Sequence, residues 1–282
     1  QDGVGTPDVL LLASASAHHY SLRPSDVRRI REAELFYWIG PDLESFLPRP
    51  LSAREGTTVA VQDLPQLSLR RFGDAHAHDE DEHHDHDDHD DHDDHDGHEH
   101  DAHGHEEAAH GETAHADEHD HDHRPGALDA HLWLLPANAL VIAERMAADL
   151  ATADPANAQR YQANASAFTQ RVAALDARLK QRFAKVQNKP FFVFHEAYDY
   201  FEAAYGLRHA GVFTAGGEAQ PGARHVAAMR ERLQQAETLT AGLPVKMEEL
   251  DVLGVGLATD AQGYEKLLEG LGDTLAGCLE SL

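Results

Sequence analysis

Seventeen of the chain's 23 histidines lie between Asp74 and His123, together with 22 of its 50 acidic residues and no lysine, arginine or aromatic residue. Imidazole and carboxylate at that density are ligands for a borderline metal ion, zinc above all, and a segment so poor in apolar side chains cannot build a core. The chain handles a transition metal, and the chemical question is whether the tract is the working site or an accessory to a better one. Cys278 is the only cysteine, which removes every thiolate-based zinc site and any disulfide within the chain. A tight site has to be made from histidine and carboxylate.

Outside the tract the histidines are His18, His19, His131, His195, His209 and His225. His18 and His19 sit in a loop after the apolar run Asp8 to Ala13. His131 follows the tract in Asp129-Ala130-His131-Leu132-Trp133, and His195 ends the run Phe191 to Phe194. Asp251 comes just after the last expected strand. Three imidazoles, His18, His131 and His195, with the carboxylate of Asp251, would give a tetrahedral set of three nitrogens and one oxygen that suits zinc. His19 is the weaker of its pair, because neighbours in an extended loop point in opposite directions. Glu248 and Glu249 are close rivals of Asp251. His209, within an expected strand, and His225, at an expected helix start, read as structural.

The elements that must position these residues alternate between strand and helix. Expected strands are Asp8 to Ala13, Leu35 to Ile39 and Thr57 to Val61, with helices from Pro24 to about Glu34 and around Leu43 to Leu47. After the tract one helix is expected from Pro136 to Leu150, and a second from Asp154-Pro155 unbroken to about Val186. The large apolar residues of that second helix, Tyr161, Phe168, Val172, Leu175, Leu179, Phe183 and Val186, recur at helical spacing along one face. The α/β pattern then returns, with strands at Phe191 to Phe194, Arg208 to Phe213 and Val245 to Met247, and helices at Tyr198 to Tyr205, Ala223 to Ala236 and Gly263 to Leu279. The fold class is α/β: two α/β lobes with mainly parallel sheets joined by one long helix. The N-terminal lobe spans 1–152 and carries a disordered histidine-rich loop at 72–126, the linking helix spans 153–187, and the C-terminal lobe spans 188–282. Loops at the carboxyl ends of such strands surround a cleft where ligands bind.

The formal net charge is −27, of which the tract holds −22, so the rest of the chain is mildly acidic at −5. It has no basic stripe for nucleic acid, and an acidic tract repels phosphate and anionic lipid while attracting cations. No apolar run approaches the ~20 residues that span a bilayer, and the first residues show neither a basic nor an apolar signal region.

Four phrases carry a family resemblance: Ser16-Ala17-His18-His19-Tyr20-Ser21-Leu22-Arg23-Pro24-Ser25-Asp26, Asp129 to Leu134, Phe194-His195-Glu196-Ala197-Tyr198, and Leu250-Asp251-Val252-Leu253-Gly254. In this order they resemble the zinc-binding solute-binding proteins of bacterial ABC importers, the ZnuA-like branch of the cluster A-I group, over nearly the whole chain outside the tract. The resemblance implies that the long linking helix is rigid, and that the protein is periplasmic and monomeric and holds Zn2+ between two lobes on His18, His131 and His195, with Asp251 as fourth ligand. It implies delivery to a membrane permease of the ABC importer, loading by a periplasmic metallochaperone, and a His/Asp-rich loop before the second ligand. Ala17 stands where some relatives have a glutamate. A strand and helix that commonly precede Gly3 are not present, and a segment expected near Ala236-Glu237, often bearing a cysteine that pairs with one near the C-terminus, is also missing, which would leave Cys278 unpaired.

The tract would then be a weaker antenna that collects zinc. Two other readings compete: a zinc buffer working mainly through the tract, and a zinc hydrolase with Glu196 as base. His195-Glu196 begins like a metalloprotease helix, but the fourth residue on is Asp199, so the two-histidine face is missing. The chain is read as a binding protein, not an enzyme.

Overall fold

Leu35 to Trp38 is a run of large apolar residues closed by Gly40-Pro41, and it forms β1, paired in parallel with β2 (Thr57–Ala60) from Leu35↔Thr57 to Trp38↔Ala60. The structure is a computed structural model and describes residues 2–11, 15–72, 126–212 and 245–281, which belong to one compact unit. Ahead of β1 runs α1 (Pro24–Glu32). Proline opens its first turn, and the Asp26 carboxylate accepts the Arg23 backbone N–H, as a capping carboxylate should. A short α2 (Pro48–Leu51) lies between the strands. The expected helix at Leu43 to Leu47 is instead a set of turns. Pro48 has no N–H to extend a helix running into it and suits the first turn of a new one.

The long helical part comes next. α3 (Pro136–Ala153) and α4 (Ala158–Phe183) pack side by side, separated by a 3-10 turn at Pro155–Asn157. The expected unbroken helix to Val186 is therefore 26 residues of α-helix, about 39 Å at ~1.5 Å per residue. At its start the Asp154 carboxylate accepts from Asn157 Nδ2 and Tyr161 Oη, organising the tighter turn before the helix proper. The apolar face reads true: Tyr161, Val172, Leu175, Leu179, Phe183 and Val186 are buried. Against it lies α6 (Gly263–Glu280), whose Leu268, Leu271, Leu275 and Leu279 complete the core with Phe201 and Tyr205. Gly272 permits the close approach, since a Cβ there would sit 2.4 Å from Leu179 Cδ2.

Between them stand β3 (Phe192–Val193), α5 (Asp199–Tyr205) and β4 (Gly211–Val212), with β3 and β4 paired in parallel. Gly206, at φ +66°, closes α5 in the left-handed conformation. The second strand pair is shorter than expected. The His209 amide donates to the Glu202 carboxylate, so a side chain takes a group that a longer ladder would have used. The parallel pairs and helices give the expected α/β class.

Two expected strands differ. Asp8 to Leu11 is not a strand, because the Arg29 guanidinium binds the Asp8 carboxylate and the carbonyls of Val9 and Leu10. Val245 to Met247 is irregular, with Val245 and Met247 both exposed. The remainder of the first run, the end of the strand at Phe213, the helix Ala223 to Ala236 with His225, and the tract with its expected disorder lie outside the described residues. Among the described residues no helix is long and apolar enough to cross a membrane.

Candidate metal centre

The chain leaves for the tract and returns from it through a hydrogen-bonded neck. Phe72 N–H donates to Ala127 O, Gly126 N–H to Phe72 O and Asp129 N–H to Arg70 O, around an antiparallel bridge between Arg71 and Leu128. The Tyr200 hydroxyl, from α5, accepts from Arg70 N–H and donates to Asp129 O. Asn138, buried in α3, ties Ser68 to Leu132 with three further bonds. His131 thus follows shortly after this hydrogen-bonded neck.

Asp129 then fixes the ring. Its buried Oδ1 accepts both His131 N–H at 2.9 Å and the ring Nδ1–H at 2.8 Å. A carboxylate on Nδ1 leaves the lone pair of the neutral ring on Nε2, the tautomer that a metal-ligating histidine needs. Asp129 Oδ2 is buried and accepts no hydrogen bond among the described residues.

The His131 ring lies between two other imidazoles, with centroid separations of 5.7 Å to His18 and 5.8 Å to His195. Imidazoles bound tetrahedrally to one zinc at 2.0–2.1 Å have centroids roughly 5 Å apart. The ligand atoms of the three rings do not all lie within 4.8 Å of one another, so side-chain movement is needed to bring them onto one ion. His18 and His131 are buried, and His195 is half-buried with its Nε2 shielded from solvent. His19, 6.4 Å from His18 by ring centroid, is the outer member of its pair. Trp133 packs beside His131 at 5.5 Å.

Asp251 sits in a segment held from both sides: Trp133 Nε1–H donates to Val252 O, and the Tyr198 hydroxyl to Leu250 O. Its Oδ1 accepts the backbone N–H groups of Leu253 and Gly254, so this carboxylate caps a turn with one oxygen. Glu248 is paired with Lys246 at 3.0 Å.

Sequence reasoning passed over the acidic side chains around these histidines. Asp129, two residues before His131, and Glu44 are the main ones. Burial pushes the Glu44 carboxyl up to about 7, and the charge of His18 is among the influences that lower it. Nothing in the spacing points to Glu44, whereas a carboxylate two residues before a candidate ligand is a signal that could have found Asp129. His209, expected to be structural, is buried with Glu202 on its Nδ1 at 2.9 Å. Among the described residues the one group of three or more metal-ligating side chains whose ligand atoms all lie within 4.8 Å of one another is Glu196, Asp199 and His209.

A family model described as zinc-uptake complex component A, periplasmic (ZnuA) matches residues 2–246. The chain belongs to this family. The high-affinity zinc uptake system protein ZnuA of Yersinia pestis is 32% identical over 297 residues, covering 99% of this chain and 86% of that protein. Its counterpart in Paracoccus denitrificans is 38% identical over 295 residues, with 98% and 86% covered. Among solved structures, ZnuA superposes with a TM-score of 0.62 at 19% identity, over 96% of this chain and 90% of that one. AdcAII of Streptococcus pneumoniae gives 0.59 at 20% identity, over 94% and 88%. The ZnuA family is one of transport components, not of enzymes, so the hydrolase reading falls away.

Proposed function

We propose that this ZnuA-family protein captures zinc on the imidazoles of His18, His131 and His195, with Asp251 as fourth ligand, and delivers it in the periplasm to the permease of an ABC importer. The observation that carries the reading is the placement of His131 between the other two rings, with its tautomer set by a buried carboxylate. Relatives named for zinc uptake, and the crystal structure of a ZnuA deletion mutant with zinc bound, support it. The lobes would be 1–152 and 188–282, joined across 153–187. Asp251 would give the ion its Oδ2 while Oδ1 keeps the turn.

The histidine-rich tract would serve as a collector of weaker affinity. In support, the hydrogen-bonded neck at Phe72 and Gly126 flanks the tract, and Gly126 is five residues before His131 in sequence. A metallochaperone partner and a monomeric state complete the proposal.

The test is a zinc titration of the whole protein against a competing chelator. His131→Ala and His195→Ala should abolish the tight phase and leave the weaker phases of the tract. Asp251→Asn should weaken the tight phase at least tenfold. Tight binding undiminished in His131→Ala would refute the site.

A further inference from the structure

The segment that carries Asp251 has no regular structure of its own. Residues 245–262 form neither helix nor strand, and Leu253, Val255 and Leu257 are exposed. A ligand carboxylate on such a segment has a defined place only if something outside the segment fixes its backbone, and ordering it at the moment of binding would cost affinity. Two carbonyls, one on each side of Asp251, take that restraint. Leu250 O accepts from the Tyr198 hydroxyl at 3.2 Å, and Val252 O from Trp133 Nε1–H at 3.0 Å.

Both donors come from segments that carry a candidate histidine ligand. Tyr198 is three residues after His195, and Trp133 two after His131. The Trp133 ring lies 5.5 Å from that of His131 and packs against the apolar cluster of Ala17 and Ala130, the residues just before His18 and His131. The Trp133 carbonyl accepts from the Tyr264 hydroxyl at 2.9 Å, which ties the same turn to α6.

We propose that Trp133 and Tyr198 are positioning residues for the fourth ligand, setting Asp251 relative to the imidazoles before the ion arrives. The proposal rests on the reading of Asp251 as a zinc ligand. Two sets of hydrogen bonds divide the work. The amides of Leu253 and Gly254 hold the Asp251 carboxylate on its own backbone through Oδ1. The indole and the phenol hold that backbone on the segments of His131 and His195. A ligand restrained at both joints meets the ion with little left to order, which is how support from outside the coordination sphere raises metal affinity. Trp133 acts at the junction of three ligand-bearing segments, those of His18, His131 and Asp251, and Tyr198 brings in the fourth.

The test is a double-substitution cycle, read by zinc titration of the whole protein against a competing chelator. Trp133→Phe and Tyr198→Phe are made in the parent and in Asp251→Asn; each keeps an aromatic ring and removes the donor. In the parent each should weaken the tight phase by about tenfold, the lower end for partners outside the coordination sphere. In Asp251→Asn neither should weaken it further by more than about twofold, because residues that act through one group do not add. Losses that add in full on Asp251→Asn would mean that the rings act on the histidines or on the fold, and would overturn the proposal. A single variant whose tight phase stays within about twofold of the parent's overturns the role of that residue. A tight phase untouched by Asp251→Asn alone removes Asp251 as a ligand and the proposal with it, a failure visible before either aromatic residue is changed. Thermal melting of the metal-free variants separates unfolding from lost positioning, and Tyr198→Phe, which removes only a hydroxyl, decides the matter if Trp133→Phe does not fold.

Discussion

Asp129→Asn isolates what the buried carboxylate does for His131. The substitution keeps the shape of the side chain and an oxygen that can still accept from the ring, so the fold of the segment, held independently by Tyr200 on the Asp129 carbonyl and by the neck hydrogen bonds, should survive. What disappears is the negative charge 2.8 Å from Nδ1. Outer partners of this kind change metal affinity by about 10- to 100-fold, which is about 1.4–2.8 kcal/mol at ~1.4 kcal/mol per decade. A chelator-competition titration at neutral pH should show the tight zinc phase weakened by that factor, with the weaker phases unchanged. Thermal melting of the metal-free proteins provides the control for folding. A tight phase within twofold of the parent's would refute the argument that Asp129 tunes His131.

Three further outcomes follow from the packing and the charges. Gly272→Ala should lower stability by about 1–3 kcal/mol in urea unfolding, because its Cβ would press on Leu179 Cδ2 where α6 meets α4. Trp133→Phe removes the bond to Val252 O at a cost of about 1 kcal/mol, and hydrogen exchange at Leu253 and Gly254 should accelerate. Hydrogen bonds from the Arg23 side chain and backbone, and from Tyr20, hold the Asp26 carboxyl well below the usual carboxylate range. A depressed native value contributes stability above the unfolded carboxylate range that is lost as pH falls through the native one. Asp26→Asn should therefore lower the melting temperature at pH 7, and the difference should shrink in strong acid; a difference constant with pH would show that the charge is not responsible.

Periodicity made the helices legible. The apolar face of α4 from Tyr161 to Phe183 was readable because burial on one side of a helix leaves a 3.6-residue signature, and Gly263 to Leu279 was readable for the same reason. The strand expected at Leu35 to Ile39 was legible as a continuous apolar run and is β1, Leu35 to Trp38. The marginal strands were not, since whether Asp8 to Leu11 joins a ladder depends on where the Arg29 guanidinium goes, 20 residues away in sequence. At the candidate centre, the position of His18 and His195 after apolar runs, and of His131 just after the histidine-rich tract, singled them out. The carboxylates that orient and charge the region were largely invisible, because Glu44, Glu202 and Asp199 acquire their character from burial beside groups distant in the chain. Asp199 was noticed only as the residue that broke a protease motif, although its i, i+3 partner Glu202 and the later His209 complete a cluster.

The measurement closest to the central claim is a zinc titration against a competing chelator, comparing the whole protein with one from which Asp74 to His123 has been removed. One tight site retained in the shortened protein, with only weak sites lost, is the result predicted for a zinc-uptake protein whose tract is an accessory. Loss of all tight binding in a shortened protein that still melts cooperatively would contradict the account and make the tract itself the site.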